Sequence, residues 1–266
     1  MAGIASFGGK GAYIGKVRDD QLGTVFGHDL RAVGVQFRPG GPEAGVPTGR
    51  CIIVVTPDAQ RTMNTYLGVS SLLQPSDIHE ETVARGKVLY MEGYLYDRPA
   101  AKEAFRAAAA VAHANGRQVS LTLSDSFCVD RHRADFSALV SDEVDILFGN
   151  EDELLSLYEV DSFDAAVAAV RRDCQLAVIT MGKDGCVIVS KDETVRAPAE
   201  PVEAAATQEK SDTEEKVNKT DTWDDQDYEY FFGDYLDDGY RPRAPQEVKE
   251  LPPIENTLSR LYKRSR

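Results

Sequence analysis

Val144-Asp145-Ile146-Leu147-Phe148-Gly149-Asn150-Glu151-Asp152-Glu153 and Ala177-Val178-Ile179-Thr180-Met181-Gly182-Lys183-Asp184-Gly185 decide the fold. Each is an apolar, strand-like run that breaks into polar residues or glycine where a strand should end, and a helical stretch separates them. In open α/β sheets, ligands collect at that edge, beyond the carboxyl ends of the strands. The first run stops at Asn150, and the acidic residues after it fit the opening turn of a helix, whose free amides tolerate negative charge. Asn150 and Glu153 are three apart, so on a helix they share a face. The second run stops in Thr-x-Gly-x-x-Gly, where backbone without side chains can approach a phosphate.

Working outward, residues 87–200 alternate strand and helix. Val88-Leu89-Tyr90-Met91 leads into Glu92-Gly93-Tyr94, and Asp97 with Pro99 opens an alanine-rich helix that runs to Asn115-Gly116. Residues 118–123 read as the next strand, ending in Ser124-Asp125-Ser126. A helix around 130–140 follows, then the strand at 144, helices near 151–158 and 163–173, and the strand at 176. Strands alternating with helices of this length imply parallel pairing and a three-layer α/β/α sandwich. Residues 185–190 and 194–197 are expected to close it as a hairpin. Upstream, residues 2–9 read as a helix end meeting a glycine turn, residues 11–17 as a strand and 19–33 as a helix. Residues 34–68 hold short strand candidates at 34–38, 51–56 and 61–67 divided by Pro and Gly, with Pro57-Asp58-Ala59-Gln60 as a tight turn.

Composition limits what this chain does. It has 266 residues, enough for one large domain, and 42% hydrophobic content suffices for a core. The formal charge of −14 opposes any general attraction to nucleic acid or anionic membrane. Cys51, Cys128, Cys174 and Cys186 form no Cys-x-x-Cys, so they read as reduced thiols rather than zinc ligands or a disulfide framework. His28, His79, His113 and His132 lack ligand spacing and read as surface or helix-cap residues. No secretory leader is evident, nor a run of about 18 apolar residues, so a cytoplasmic location is expected. From residue 204 the periodicity stops. Acidic clusters and Tyr228-Glu229-Tyr230-Phe231-Phe232 read as a disordered acidic tail over 204–266, with a linear motif that folds on a partner as the other reading.

Asn-x-x-Glu after Val-Asp-Ile-Leu-Phe, followed by Thr-x-Gly-x-x-Gly, resembles the ribokinase-like (PfkB-type) sugar and nucleoside kinases, adenosine kinases above all. Phe7-Gly8-Gly9 through Gly23 and Arg61-Thr62-Met63-Asn64-Thr65-Tyr66-Leu67-Gly68 resemble the same family in the same order, so roughly residues 1–203 are covered. The resemblance implies a ribokinase-like core over 1–203 with a small β-sheet lid at about 34–68, which covers the substrate and commonly supplies a homodimer contact. It implies ATP and Mg²⁺ as cofactors and a nucleoside or sugar as acceptor, with no nucleic acid or membrane partner. By the same resemblance, Asn150, Thr180, Gly182, Lys183 and Gly185 are expected to line the nucleotide and Glu153 to hold Mg²⁺ largely through its waters. Arg61, Gly93 and Tyr94 are expected on the acceptor side.

The sequence also departs from the family. Members carry an earlier strand with a substrate-binding Asp and a Gly-Gly-x-x-x-Asn turn, and after the closing hairpin an Asp-Thr-x-Gly-Ala-Gly-Asp run. The glycines of that run open an anion hole, and its last Asp takes the acceptor proton. No Gly-Ala-Gly occurs here. The nearest echo, Asp221-Thr222-Trp223-Asp224-Asp225-Gln226-Asp227, keeps the end aspartates but replaces the glycines with bulk and negative charge. An incomplete kinase core without its catalytic base is therefore expected, the alternative being a non-catalytic interaction protein.

Overall fold

A computed structural model describes residues 1–40, 45–56 and 61–200. The expected acidic tail, the 221–227 echo and the turn at 57–60 lie outside the described residues. The chain opens with α1 (Ala2–Ser6), β1 (Ala12–Tyr13), α2 (Gln21–Ala32) and β2 (Gln36–Phe37). The strand expected over 11–17 is therefore only two residues long. Asp20 caps α2 by accepting from the Gly23 amide at 2.9 Å, and its other oxygen accepts from the Thr48 amide at 2.9 Å. These bonds, Thr48's first, hold its carboxyl below the usual range. The rings of Tyr13, Phe26 and Phe37 meet with centroids 5.5 Å apart. A buried ion pair, Lys16 Nζ to Asp77 Oδ2 at 3.0 Å, ties this segment to the chain beyond the lid.

The strands expected to form a lid are β3 (Arg50–Val55) and β4 (Arg61–Tyr66), an antiparallel pair with every residue exposed. Gln36 and Phe37, grouped by sequence with the lid, instead pair in parallel with Ala12 and Tyr13, forming a separate two-stranded sheet. Burial explains this placement, because Val35 and Phe37 are 2% and 7% exposed whereas the hairpin buries nothing.

The main sheet follows α3 (Glu80–Arg85). It comprises β5 (Val88–Glu92), β6 (Gln118–Thr122), β7 (Ile146–Asn150), β8 (Leu176–Thr180), β9 (Cys186–Ser190) and β10 (Thr194–Ala197), in the order β10-β9-β8-β7-β6-β5. Strands β5 to β8 run parallel, so their carboxyl ends share one edge, and β9 and β10 return antiparallel as the expected hairpin. The crossovers are α4 (Pro99–Ala114), α5 (Ser126–Asp142), and α6 (Glu151–Tyr158) with α7 (Phe163–Asp173). Proline at the first turn of α4 suits its fixed φ, and Ser162 caps α7. Among the described residues, no helix is long and apolar enough to cross a membrane.

Alternation along the strands separates two faces. Leu89, Met91, Val119, Leu121, Leu147, Ala177, Ile179, Val187 and Val189 point one way and pack with Phe105, Phe136, Leu139, Leu154, Leu157 and Val170 from α4 to α7 in a single core. Val88, Tyr90, Ile146, Phe148, Leu176 and Val178 point the other way and neither join that core nor pack against it. The described helices α4 to α7 thus form one layer over one face. The asymmetry predicts unequal costs. Leu147→Ala should lower unfolding free energy in urea by roughly 2–5 kcal/mol, whereas Tyr90→Ala on the opposite face should cost about 1 kcal/mol or less.

Candidate active site

The two runs that decide the fold meet rung by rung. Strands β7 and β8 pair from Ile146 with Leu176 to Asn150 with Thr180, so the residues that end both strands are neighbours at the carboxyl edge. Both are exposed, and the Thr180 hydroxyl leans back on the Gly149 carbonyl at 3.4 Å. Asn150 also caps α6, where its Oδ1 accepts from the Glu153 amide at 2.8 Å. Glu153 answers with both oxygens: Oε2 accepts from the Asn150 amide at 3.0 Å and Oε1 from Asn150 Nδ2 at 2.9 Å. This reciprocal box satisfies amides that a helix start otherwise leaves open.

Glu153, expected to hold Mg²⁺ largely through its waters, is 6% exposed, and both of its oxygens accept from Asn150. Burial pushes its carboxyl above the usual range. The Asn150 amide pulls the other way, and nearby Asp125 and Asp152 add to the rise. No group of three or more His, Cys, Asp or Glu side chains able to hold a metal occurs among the described residues.

After Thr180 the chain makes a 3₁₀ turn, Gly182–Asp184. The amides of Met181, Asp184 and Gly185 bond within this turn, to the carbonyls of Gly185, Met181 and Gly182. Gly182 has φ +56 and open space where a Cβ would sit, and Lys183 is exposed beside it. Gly185 is glycine for another reason, since a Cβ there would lie 2.0 Å from the Ala197 carbonyl oxygen. Its bareness lets the end of β10 pass.

At the same edge, β5 runs into the 3₁₀ turn Gly93–Asp97. Gly93 is buried so tightly that a Cβ would stand 2.7 Å from the carbonyls of Thr122 and Leu123. Tyr94 is 52% exposed, and its amide donates to Ser124 Oγ at 3.2 Å. Burial raises its phenol, and the charges of Asp125, Glu153 and Glu92 raise it further. The carboxylates that act on it are Glu92 at the end of β5, Asp125 at the cap of α5 and Glu153 in the first turn of α6, so the edge is acidic. Arg61 starts β4, and among the described residues the β3–β4 hairpin does not pair with the main sheet.

Three features escaped sequence reading. Helix α5 begins earlier than expected, capped by Asp125 through the Cys128 amide at 2.7 Å. Ser124 adopts φ +76 before that cap. His132, expected at a surface or cap, lies inside α5 at its one non-helical residue, with its ring on Asp97. Only the Ser-Asp-Ser string hinted at the first two.

The raised carboxyl of Glu153 carries a sign. Its protonated form is favoured in the folded state, so its contribution is fullest below the unfolded value and is lost as pH rises through the folded one. Unfolding free energy of Glu153→Gln relative to wild type should therefore rise between pH 4 and 7. A flat difference would contradict the burial argument.

A family model described as the pfkB family carbohydrate kinase matches residues 1–207. The chain is similar to the crystal structure of adenosine kinase from Sinorhizobium meliloti, at 51% identity and TM-score 0.73, over 76% of this chain and 62% of that one. It is similar to a probable sugar kinase from Rhizobium etli CFN 42, at 47% identity and TM-score 0.72, over 76% of this chain and 61% of that one. Among curated proteins it resembles fructokinase-1 of Oryza sativa subsp. japonica, 26% identical over 211 residues that make 77% of this chain and 65% of that protein. The chain thus spans less than two thirds of each of these relatives. Because that family model covers residues 1–207 of the 266, the chain belongs to the PfkB family of carbohydrate kinases.

Proposed function

We propose that this chain holds ATP with Mg²⁺ at the carboxyl edge of β7 and β8, as part of a kinase that phosphorylates an alcohol of a nucleoside, adenosine-like, or of a small sugar. The observation that carries this reading is the register pairing of Asn150 with Thr180, which sets both family motifs side by side. Asn150 would contact the phosphate region, while Thr180, the open Gly182 turn, Lys183 and Gly185 would line the nucleotide. Gly93 and Tyr94 would meet the acceptor, with Arg61 reaching it from the lid.

The donor set fits a cation held through its water shell rather than bound directly, because Asn150 already occupies both Glu153 oxygens. When bound, the cation would neutralise phosphate charge. That matters here, since Glu92, Asp125 and Glu153 would repel a bare triphosphate. ATP is at hand in the cytoplasm, where this reading places the protein. The wholly exposed lid hairpin fits either closure over substrate or contact with a second copy, because a lone two-stranded ribbon is marginal in water.

Turnover by this chain is expected to be low. Losing a preformed anion hole costs on the order of 10²–10³ per donor, and losing the base a further 10²–10⁴ or so. A second reading, a non-catalytic interaction protein, is favoured by the apolar sheet face that the core leaves out. Its acidic 204–266 segment would then recruit the partner.

Calorimetric titration with ATP·Mg should show binding that weakens about tenfold in Thr180→Ala and also falls in Glu153→Gln. Identical heats in all three proteins would overturn the nucleotide assignment. A coupled assay with adenosine should give turnover near background, and a rate matching that of the S. meliloti enzyme would overturn the proposed impairment.

A further inference from the structure

The turn Gly93–Asp97, which carries the proposed acceptor residues, is fastened along its whole length. Gly93 seats on the end of β6, and its carbonyl receives the Cys128 thiol at 3.4 Å. The Tyr94 amide is held by Ser124. Tyr96 is fully buried, stacked on Phe136 at 4.5 Å between centroids. Burial pushes its phenol up to about 12.

The far end is held by charge. Asp97 Oδ1 accepts from His132 Nε2 at 2.7 Å, and Arg131 spans both Asp97 oxygens at 3.2 Å. The other ring nitrogen of His132 faces Lys102 Nζ at 3.2 Å, and Lys102 in turn binds Asp135 at 2.5 Å. An ammonium only donates, so Nδ1 accepts and the proton sits on Nε2, aimed at Asp97. Helix α5 gives up helical geometry at this one residue, His132, with φ −127 and ψ 23. Kinks in helices have local causes, and here the kinked residue is the one whose ring is bonded on both sides by other elements, the turn through Asp97 and α4 through Lys102. Of the two tyrosines of this turn, Tyr94 is 52% exposed and Tyr96 is buried.

We infer that Asp97 and His132 are positioning residues for the acceptor: the kink in α5 brings His132 onto Asp97, and that bond fixes the turn so that Tyr94 presents its ring to the bound nucleoside. The inference rests on the acceptor assignment proposed above. It assigns the pair no contact with the nucleotide.

The test is adenosine and ATP·Mg titration of wild type, Asp97→Ala, His132→Ala, His132→Gln and Arg131→Ala, with amide hydrogen exchange over residues 93–97. His132→Ala and Asp97→Ala should weaken adenosine binding on the order of tenfold while leaving ATP·Mg affinity unchanged. Exchange should speed up at 93–97 but not in β7 or β8. His132→Gln, whose amide can donate to Asp97, should recover most of the loss, and Arg131→Ala should cost about threefold or less. Equal adenosine affinity in wild type and His132→Ala would overturn the inference. So would parallel loss of both ligands, which marks general destabilisation. If wild type binds ATP·Mg but no adenosine, the acceptor assignment falls and takes this inference with it, leaving the nucleotide half standing.

Discussion

The hydrogen-bonded ladder between β7 and β8 is the constraint on which the rest depends. Its last rung, Asn150 with Thr180, places two strand ends at one level. The box between Asn150 and Glu153 then starts α6 directly at that rung, so strand end, helix start and glycine turn converge within a few residues. Parallel strands make this possible, because every crossover from β5 to β8 must return across the sheet, which brings each carboxyl end to the same edge. An antiparallel partner for β7 would have sent the Thr180 turn to the other side.

The edge is electrostatically one-sided. Glu92, Asp125 and Glu153 lie close enough to raise the Tyr94 phenol, while Lys183 stands exposed in the glycine turn beyond β8. Such a field disfavours free anions and admits anions that arrive with a cation, which is how a magnesium nucleotide presents itself. Glu153 spends its oxygens on Asn150, so its contribution is first to hold the edge in shape.

Much of this was legible in the sequence because local period and strand-end chemistry report it. Apolar runs that stop at Asn150 and Thr180 located β7 and β8, and Pro99 marked the start of α4. The unread parts depend on contacts between distant residues. Gln36 and Phe37 pair with β1 because Val35 and Phe37 find burial there, which no local pattern encodes. Glu153 was singled out by its spacing from Asn150, but its burial depends on the elements packed around it and was not legible. His132 carried no spacing signal, since its partners Asp97 and Lys102 lie more than a helix away in sequence. Gly185 belonged to a phosphate-like motif, yet the passing end of β10 accounts for it.

The most direct measurement is a backbone amide NMR titration of the isotopically labelled chain with ATP·Mg. The largest shifts should map to Asn150, Thr180, Gly182 and Lys183, with the opposite edge around His113, Asp145 and Gln175 unchanged. Shifts concentrated at that opposite edge, or none at saturating nucleotide, would contradict the claim that the paired ends of β7 and β8 form the nucleotide site.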